Sequence, residues 1–443
     1  MLFSVKTLGE MKIIHTADLH LGQVLYQNYG RTDEHEHFFE QLEKWCEDEK
    51  PDALVVSGDV FDTQQPSASS REIFTKHFVK LHDACPSMRI IVTAGNHDSA
   101  SRLEAERMVW ERIGVNIIGL SPAGDSKGEG WMDRYIIPLE SGYVVAMPYM
   151  AGSRRGQLQA VLDKVGEMND EGKPVVMMAH TAVTGCDVTG HGFDIGTLKT
   201  QGLDEMGTGW DYLALGHIHK PQTLGHEEDR FDADTVRYPA PVARYSGSAL
   251  HVTCDEAYPH SVSIVEIDRH GGEVAIKPLR INELRHFHIL PEDGPAFKSA
   301  EETVAAVRAY VEGEGGYFRL RISYGTPLPS NFSQTIYDTL GANEGKARFN
   351  PKIIWEGAPA REEGKKKTAT FQIADLQQME DPVKFIEKTI DQYQGLDLEA
   401  VREAFDEVAA RVRKNRDEEY KAKLDKKAKK SSAAAEEETE EKA

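Results

Sequence analysis

MKIIHTADLHLG, residues 11–22, runs an apolar strand straight into Asp18 and His20, two polar side chains one residue apart. In extended chain, positions i and i+2 project to the same side, so both can reach one site. The pattern recurs downstream: ALVVSGDVFD (53–62) ends on Asp59, RIIVTAGNHD (89–98) on Asn96, PVVMMAH (174–180) on His180, and YLALGHIH (212–219) on His217 and His219. Short, continuously apolar runs of this kind are strands covered on both faces. Between the first three runs lie helical patterns at about residues 33–49 and 67–84, which makes β-α-β crossovers and a parallel sheet. Polar motifs at the C-terminal ends of such strands sit where open α/β sheets place their sites.

Working outward, IIPLE, YVVAMPY and the pair SVSIVEID and EVAIKPLRI, joined at Arg269–Gly272, read as further strands, the last two a hairpin that closes the first domain near Ile281. The expected fold class is α/β, a layered αββα sandwich over residues 11–281 after an N-terminal extension of residues 1–10. Residues 282–378 read as a smaller α+β domain, with a helix from about Ala300 to Val311, the strand YFRLRISY and a helix from about Ser333 to Leu340. In that strand Phe318, Leu320, Ile322 and Tyr324 alternate with Arg319, Arg321 and Ser323, so one face is core and the other cationic, expected to be solvated or salt-bridged, with contact to phosphates as the alternative. Residues 379–415 are helical in pattern, with Phe385, Ile386, Ile390 and Tyr393 on one face and Leu398, Val401, Phe405, Val408 and Val412 on the next. Core packing and a docking face for another protein both fit that pattern. Residues 416–443 read as a disordered charged tail.

A chain of 443 residues is long enough for two or more domains. No run approaches the roughly 20 apolar residues needed to span a bilayer, and the N-terminus MLFSVKTLGE lacks a leader pattern, so a cytoplasmic protein without membrane attachment is expected. Cys46, Cys85, Cys186 and Cys254 have no Cys-x-x-Cys spacing and read as reduced structural thiols. The net charge of −21 argues against tight autonomous binding to a polyanion. A partner would have to supply much of such a grip.

Asp18, His20, Asp59, Asn96, His180, His217 and His219 make a mixed nitrogen and oxygen ligand set without thiolate. That set suits Mn²⁺ or Fe²⁺ better than Mg²⁺, which prefers oxygen and water, and the lack of thiolate argues against structural zinc; a pair of Mn²⁺ is expected, with Fe²⁺ or Mg²⁺ as alternatives. A carboxylate such as Asp59, placed after Gly58 in a turn, can bridge two cations. Two cations roughly 3.5–4 Å apart activate a shared water and stabilise the attacking and leaving oxygens of an in-line displacement. His97 is the candidate proton donor for the leaving oxygen, and Asp62 the carboxylate that would hydrogen-bond His97 and fix its tautomer. A loop or helix cap is the alternative for Asp62, and an orienting hydrogen bond the alternative for His97. Asp98 is expected to cap the following helix, and His35, His37, His191 and His286 to lie on the surface.

These motifs resemble the calcineurin-like metallophosphoesterase superfamily over about residues 11–280. More narrowly, HTADLHLG, SGDVFDT, AGNHDS, ALGHIHKPQ and RYSGSA resemble the SbcD family of bacterial nuclease subunits. That resemblance implies two Mn²⁺, one held by Asp18, His20, Asp59 and His219, the other by Asp59, Asn96, His180 and His217. It also implies a capping domain at 282–378 that presents DNA, C-terminal helices that bind an SbcC-type ABC ATPase, and a homodimer formed through the Asp62 to Ile113 region. The whole would be a heterotetramer of two nuclease and two ATPase subunits acting on double-stranded DNA ends and hairpins. Asp62 stands where archaeal and eukaryotic relatives carry His, which points to the bacterial branch. The same metal motifs also fit a phosphomonoesterase or cyclic-nucleotide phosphodiesterase, or a scaffold that keeps the fold without catalysis.

Overall fold

Alternate residues along the first strands point to opposite sides, and both sides are apolar. The computed structural model shows what each side meets. It describes residues 10–358 apart from 27, 123–129, 151–154, 191–199, 227–234, 257, 314 and 344. Ile13, Val55 and Ile91 face a second sheet through Val145, Met177 and Leu213. Ile14, Leu54, Val56, Ile90 and Val92 face two helices through Phe38, Phe39, Leu42, Phe74, Phe78 and Leu81. Each fully buried side chain of this size contributes about 1.5–3 kcal/mol, so the two faces lock the sheet between layers.

The first sheet has seven strands in the order Val236–Pro239, Glu273–Arg280, Ser261–Ile267, Met11–Thr16, Ala53–Ser57, Arg89–Thr93 and Val115–Ile118. Met11–Thr16 pairs parallel with Ala53–Ser57, which pairs parallel with Arg89–Thr93, and the crossovers are the helices Thr32–Glu49 and Ala68–Ala84. Ser67 caps the second helix by accepting from Ser70 N–H at 3.1 Å. The hairpin of Ser261–Ile267 and Glu273–Arg280 joins antiparallel beside the first strand. The second sheet has six strands, Gln222–Thr223, Val242–Tyr245, Tyr212–Gly216, Val175–His180, Tyr143–Ala146 and Ile136–Pro138. The helix Arg155–Met168 covers its far side with Leu158, Val161, Leu162 and Val165. Helices, sheet, sheet and helix thus stack as the expected αββα sandwich, with the ligand-bearing strand ends on one rim.

A third, smaller sheet joins Phe287–Leu290, Gly316–Ser323, Ala347–Phe349 and Ile354–Glu356, all pairs parallel. Helices Ala300–Glu312 and Phe332–Leu340 pack on it around Val307, Phe318, Leu320, Ile336 and Phe349. Its cationic face is salt-bridged, Arg319 to Asp255 at 2.9 Å and Arg321 to Glu356 at 3.4 Å. Against the sandwich, Glu34 receives Tyr317 Oη at 2.7 Å, Arg348 at 3.0 Å and Arg285 at 3.1 Å. Four free cysteines agree with reduced thiols. No described helix is long and apolar enough to cross a membrane. The helical pattern and tail expected over residues 379–443, and His191, lie outside the described residues.

Candidate metal centre

The loops that follow the first two strands are zipped together before any side chain is considered. Asp18 N–H donates to Gly58 O at 3.1 Å, His20 N–H to Asp59 O at 3.0 Å, and Leu21 N–H to Val60 O at 2.9 Å. To make these bonds while turning their side chains inward, Asp18, His20, Asp59 and His217 adopt φ of 52°, 46°, 48° and 97°. Left-handed backbone at a residue other than glycine costs about 1–3 kcal/mol each and persists only where the surroundings impose it. Gly58 makes the turn possible: its φ is 85°, and a Cβ there would fall 2.1 Å from His180 Nδ1. Gly95 is needed for space, since its Cβ would meet Asp59 Oδ1 at 2.0 Å.

Three groups of ligand atoms result among the described residues: Asp18 with His20 and His219, Asp59 with His180 and His217, and, sharing His20 with the first, His20 with Asp62 and His97. Asp59 Oδ2 lies between the first two, 3.9 Å from His20 Nε2 and 3.3 Å from His180 Nε2. Asn96 Oδ1 is 2.9 Å from His180 Nε2. The structure therefore gathers all seven sequence-expected ligands on one rim. His180 Nδ1–H donates to Ser57 O at 2.9 Å, which leaves Nε2 as the ring atom that faces Asn96 and Asp59. Asp18 receives His217 N–H on both oxygens, at 3.0 and 3.1 Å. Both ring nitrogens of His20 are buried without a hydrogen-bond partner among the described residues. A buried unpaired imidazole is destabilising unless a cation completes it, so these residues fit a pair of divalent metals.

Charges within the cluster are strongly coupled. Burial pushes Asp18 up to about 7, against the pull of His180. Burial alone would lower His180, but Asp59 and Asp18 outweigh it and raise it to about 9. Asp59 is pushed up by burial and held below the usual carboxylate range by His180, His20 and His97. Cation binding to such a site displaces protons from its ligands.

His97 is exposed above the clusters. Its backbone N–H donates to Asp59 Oδ1 at 2.8 Å, and its Nδ1 donates to the main-chain oxygen of Asp62 at 2.9 Å. The Asp62 carboxylate differs from expectation: it faces His20, with Oδ1 3.3 Å from Nδ1 but poorly aligned, because the loop turns the side chain inward and leaves the carbonyl toward His97. Asp98 also differs. It caps no helix; it is buried and accepts from Val60 N–H at 3.0 Å, Phe61 N–H at 2.9 Å and Gly95 N–H at 2.9 Å, clamping two ligand loops. His35 is buried, not at the surface, and its ring spans Leu19 O at 2.9 Å and Arg31 O at 3.0 Å, so it pins the residue between Asp18 and His20. His37 is half-buried and His286 exposed. Sequence reading missed Glu256, whose Oε1 lies 2.9 Å from His219 Nδ1. The only signal near it was RYSGSA, where Ser248 N–H donates to His219 O at 3.1 Å.

Residues 11–221 match the family described as calcineurin-like phosphoesterase. Those residues carry the calcineurin-like phosphoesterase fold. The chain is similar to the SbcD subunit of the SbcCD nuclease of Rhodobacter capsulatus, 31% identical over 288 residues that cover 58% of this chain and 66% of that one. It is 27% identical to the SbcD subunit of Escherichia coli K12, over 57% of this chain and 65% of that one. It is 29% identical to the protein of the same name from Bacillus subtilis, over 60% and 68%. The chain thus spans just under two thirds of the first two relatives' length. In the calcineurin-like phosphoesterase fold of this chain, every expected ligand stands at a strand end or in the loop just beyond it.

Proposed function

We propose that this chain is the nuclease subunit of a two-metal complex that trims double-stranded DNA ends, 3′ to 5′, and opens hairpins. The observation that carries the reading is Asp59, whose Oδ2 lies between two ligand clusters while Oδ1 holds the backbone of His97. Asp18, His20, Asp59 and His219 would hold one Mn²⁺, and Asp59, Asn96, His180 and His217 the other. When bound, the metal pair supplies an activated water and neutralises charge at phosphorus. The chain's own part is positional. Asp59 holds the His97 backbone and the Asp62 carbonyl holds ring Nδ1, so that Nε2 is the atom from which a proton passes to the leaving oxygen. Asp62, through its main-chain oxygen, orients that ring.

Similarity to proteins named as part of SbcCD supports an SbcC-type ATPase partner, reached through the helices expected at residues 379–415, and so the heterotetramer. The net charge of −21 supports the same view, because an acidic chain needs help to hold DNA. Met108 and Val109, both largely exposed on the short helix Arg107–Trp110, support a contact with a second copy in the Asp62 to Ile113 region. The unit at 282–378 would present DNA to the metal rim.

The test is Mn²⁺-dependent cleavage of end-labelled duplex and hairpin DNA, with and without the co-expressed ATPase. The reading expects cleavage that needs partner and ATP. Hydrolysis of small phosphoesters alone, with DNA intact in every condition, would replace it by a small-substrate phosphoesterase on the same centre.

A further inference from the structure

His219 is backed by a carboxylate that lies outside the ligand-bearing loops. Its Nδ1 meets the carboxylate of Glu256, a side chain with no exposed surface. Glu256 is itself fixed at both oxygens. Thr253 N–H donates to Oε1 at 3.1 Å, Val252 N–H donates to Oε2 at 3.0 Å, and His260 Nε2 lies 3.4 Å from Oε2. With its acceptor oxygens so aligned, the carboxylate holds the proton of His219 on Nδ1 and leaves Nε2 as the ligating atom. A metal-ligating imidazole backed by a carboxylate has its tautomer, ring angle and basicity set by that second residue.

The loop that presents Glu256 is gripped by the smaller sheet. Arg319, on the strand Gly316–Ser323, donates from Nη1 to Asp255 Oδ1 at 2.9 Å, and Asn350 Nδ2 lies 3.2 Å from Cys254 Sγ. From the sandwich side, Gln23 Nε2 donates to Val252 O at 3.2 Å. One turn of chain therefore touches a metal ligand at Glu256 and the smaller sheet at Cys254 and Asp255.

We propose that Glu256 is a positioning residue for His219, and that the loop 252–256 lets the smaller sheet set the geometry of the Asp18–His20–His219 cluster and not that of the other. This inference rests on the metal-centre reading above. A merely structural carboxylate would lower stability and leave both metal affinities alone or weaken them together.

The experiment is calorimetric titration of Mn²⁺ into the full chain, wild type against Glu256→Ala, Glu256→Gln and Arg319→Ala, with a thermal melt of each to establish that it is folded. Wild type is expected to bind two ions. Glu256→Ala should weaken one of them by about 10–100-fold, the range for carboxylates behind metal-bound histidines, and leave the other within a few-fold. Glu256→Gln keeps an acceptor for His219 Nδ1–H and should recover part of the loss. Arg319→Ala, which removes the hold on Asp255 and Cys254 together with a bond to Lys352 O, should weaken the same ion to a smaller extent. It also carries the test if Glu256→Ala fails to fold. Two wild-type-like sites in a folded Glu256→Ala protein, or an equal fall at both, would overturn the role of Glu256. Unchanged affinities in Arg319→Ala would overturn the part given to the smaller sheet. A wild-type chain that binds no Mn²⁺ would overturn the metal-centre reading itself, and this inference with it.

Discussion

His180 and His219 each anchor one of the two ligand clusters, and each uses Nδ1 to hold its ring, but they lean on different things. His180 leans on the main-chain oxygen of Ser57, inside the strand that also delivers Asp59. His219 leans on the side chain of Glu256, a residue from a loop tied to another sheet. A main-chain support cannot be substituted away and moves only with its sheet. A carboxylate support adds charge and can be shifted by whatever holds its loop. The difference teaches that one half of the centre is built into the sandwich core, whereas the other half is open to influence from outside it.

Four substitutions probe this contrast. Asp59 belongs to both halves, so Asp59→Asn should abolish detectable cleavage and Mn²⁺ binding at both sites, read by titration and by a gel assay; binding that survives at either site would remove its bridging role. His97 belongs to neither half, so His97→Gln should keep both ions yet slow strand cleavage by about 10²–10⁴-fold, the usual worth of a positioned acid. Normal turnover there would end its role as proton donor. Gly58→Ala attacks the rigid half. A methyl 2.1 Å from His180 Nδ1, on backbone at φ 85°, should weaken the His180 site by at least about 10-fold and lower stability by about 1–3 kcal/mol, with the His219 site spared. Equal damage to both sites would show that the halves are not separable.

The smallest effect concerns Glu283, a second junction carboxylate that binds no ligand. Burial pushes it up to about 7, against the pull of Arg31 and Arg280, and its Oε1 lies 3.3 Å from His251 Nδ1. A carboxyl raised in the fold binds more protons than in the unfolded chain between its ordinary value and about 7. Its penalty is therefore absent below the ordinary carboxylate range and grows as pH rises through about 7. Glu283→Gln should thus stabilise the protein by ~1–3 kcal/mol at pH 8 and leave it unchanged at pH 4, measured by urea denaturation. Equal effects at both pH values would refute the assigned shift.

The seven candidate ligands that the fold brings to one rim were legible in the sequence because their signal is local. Asp18 and His20, or His217 and His219, advertise themselves by two-residue spacing at the end of an apolar run, and the parallel order of those runs follows from the helices between them. Glu256, Asp98 and His35 were not legible for the opposite reason. Glu256 meets His219 across 37 residues, and Asp98 meets Val60 across 38, and neither distance leaves a periodic trace. His35 sits in a polar stretch of helix that looks solvent-facing until the ligand loop is folded over it. Asp62 was placed correctly near His97 but with the wrong atom toward it, since spacing locates a residue and not which of its groups turns inward.

Four ligand positions hold left-handed backbone that their residue types adopt reluctantly. Exchanging Asp18 or Asp59 for glycine would relieve that contortion while destroying the centre, so the inactive protein could be the sturdier one. Selection for durability alone would erode this rim first. Its survival in a sequence is then a record of use, written in torsion angles.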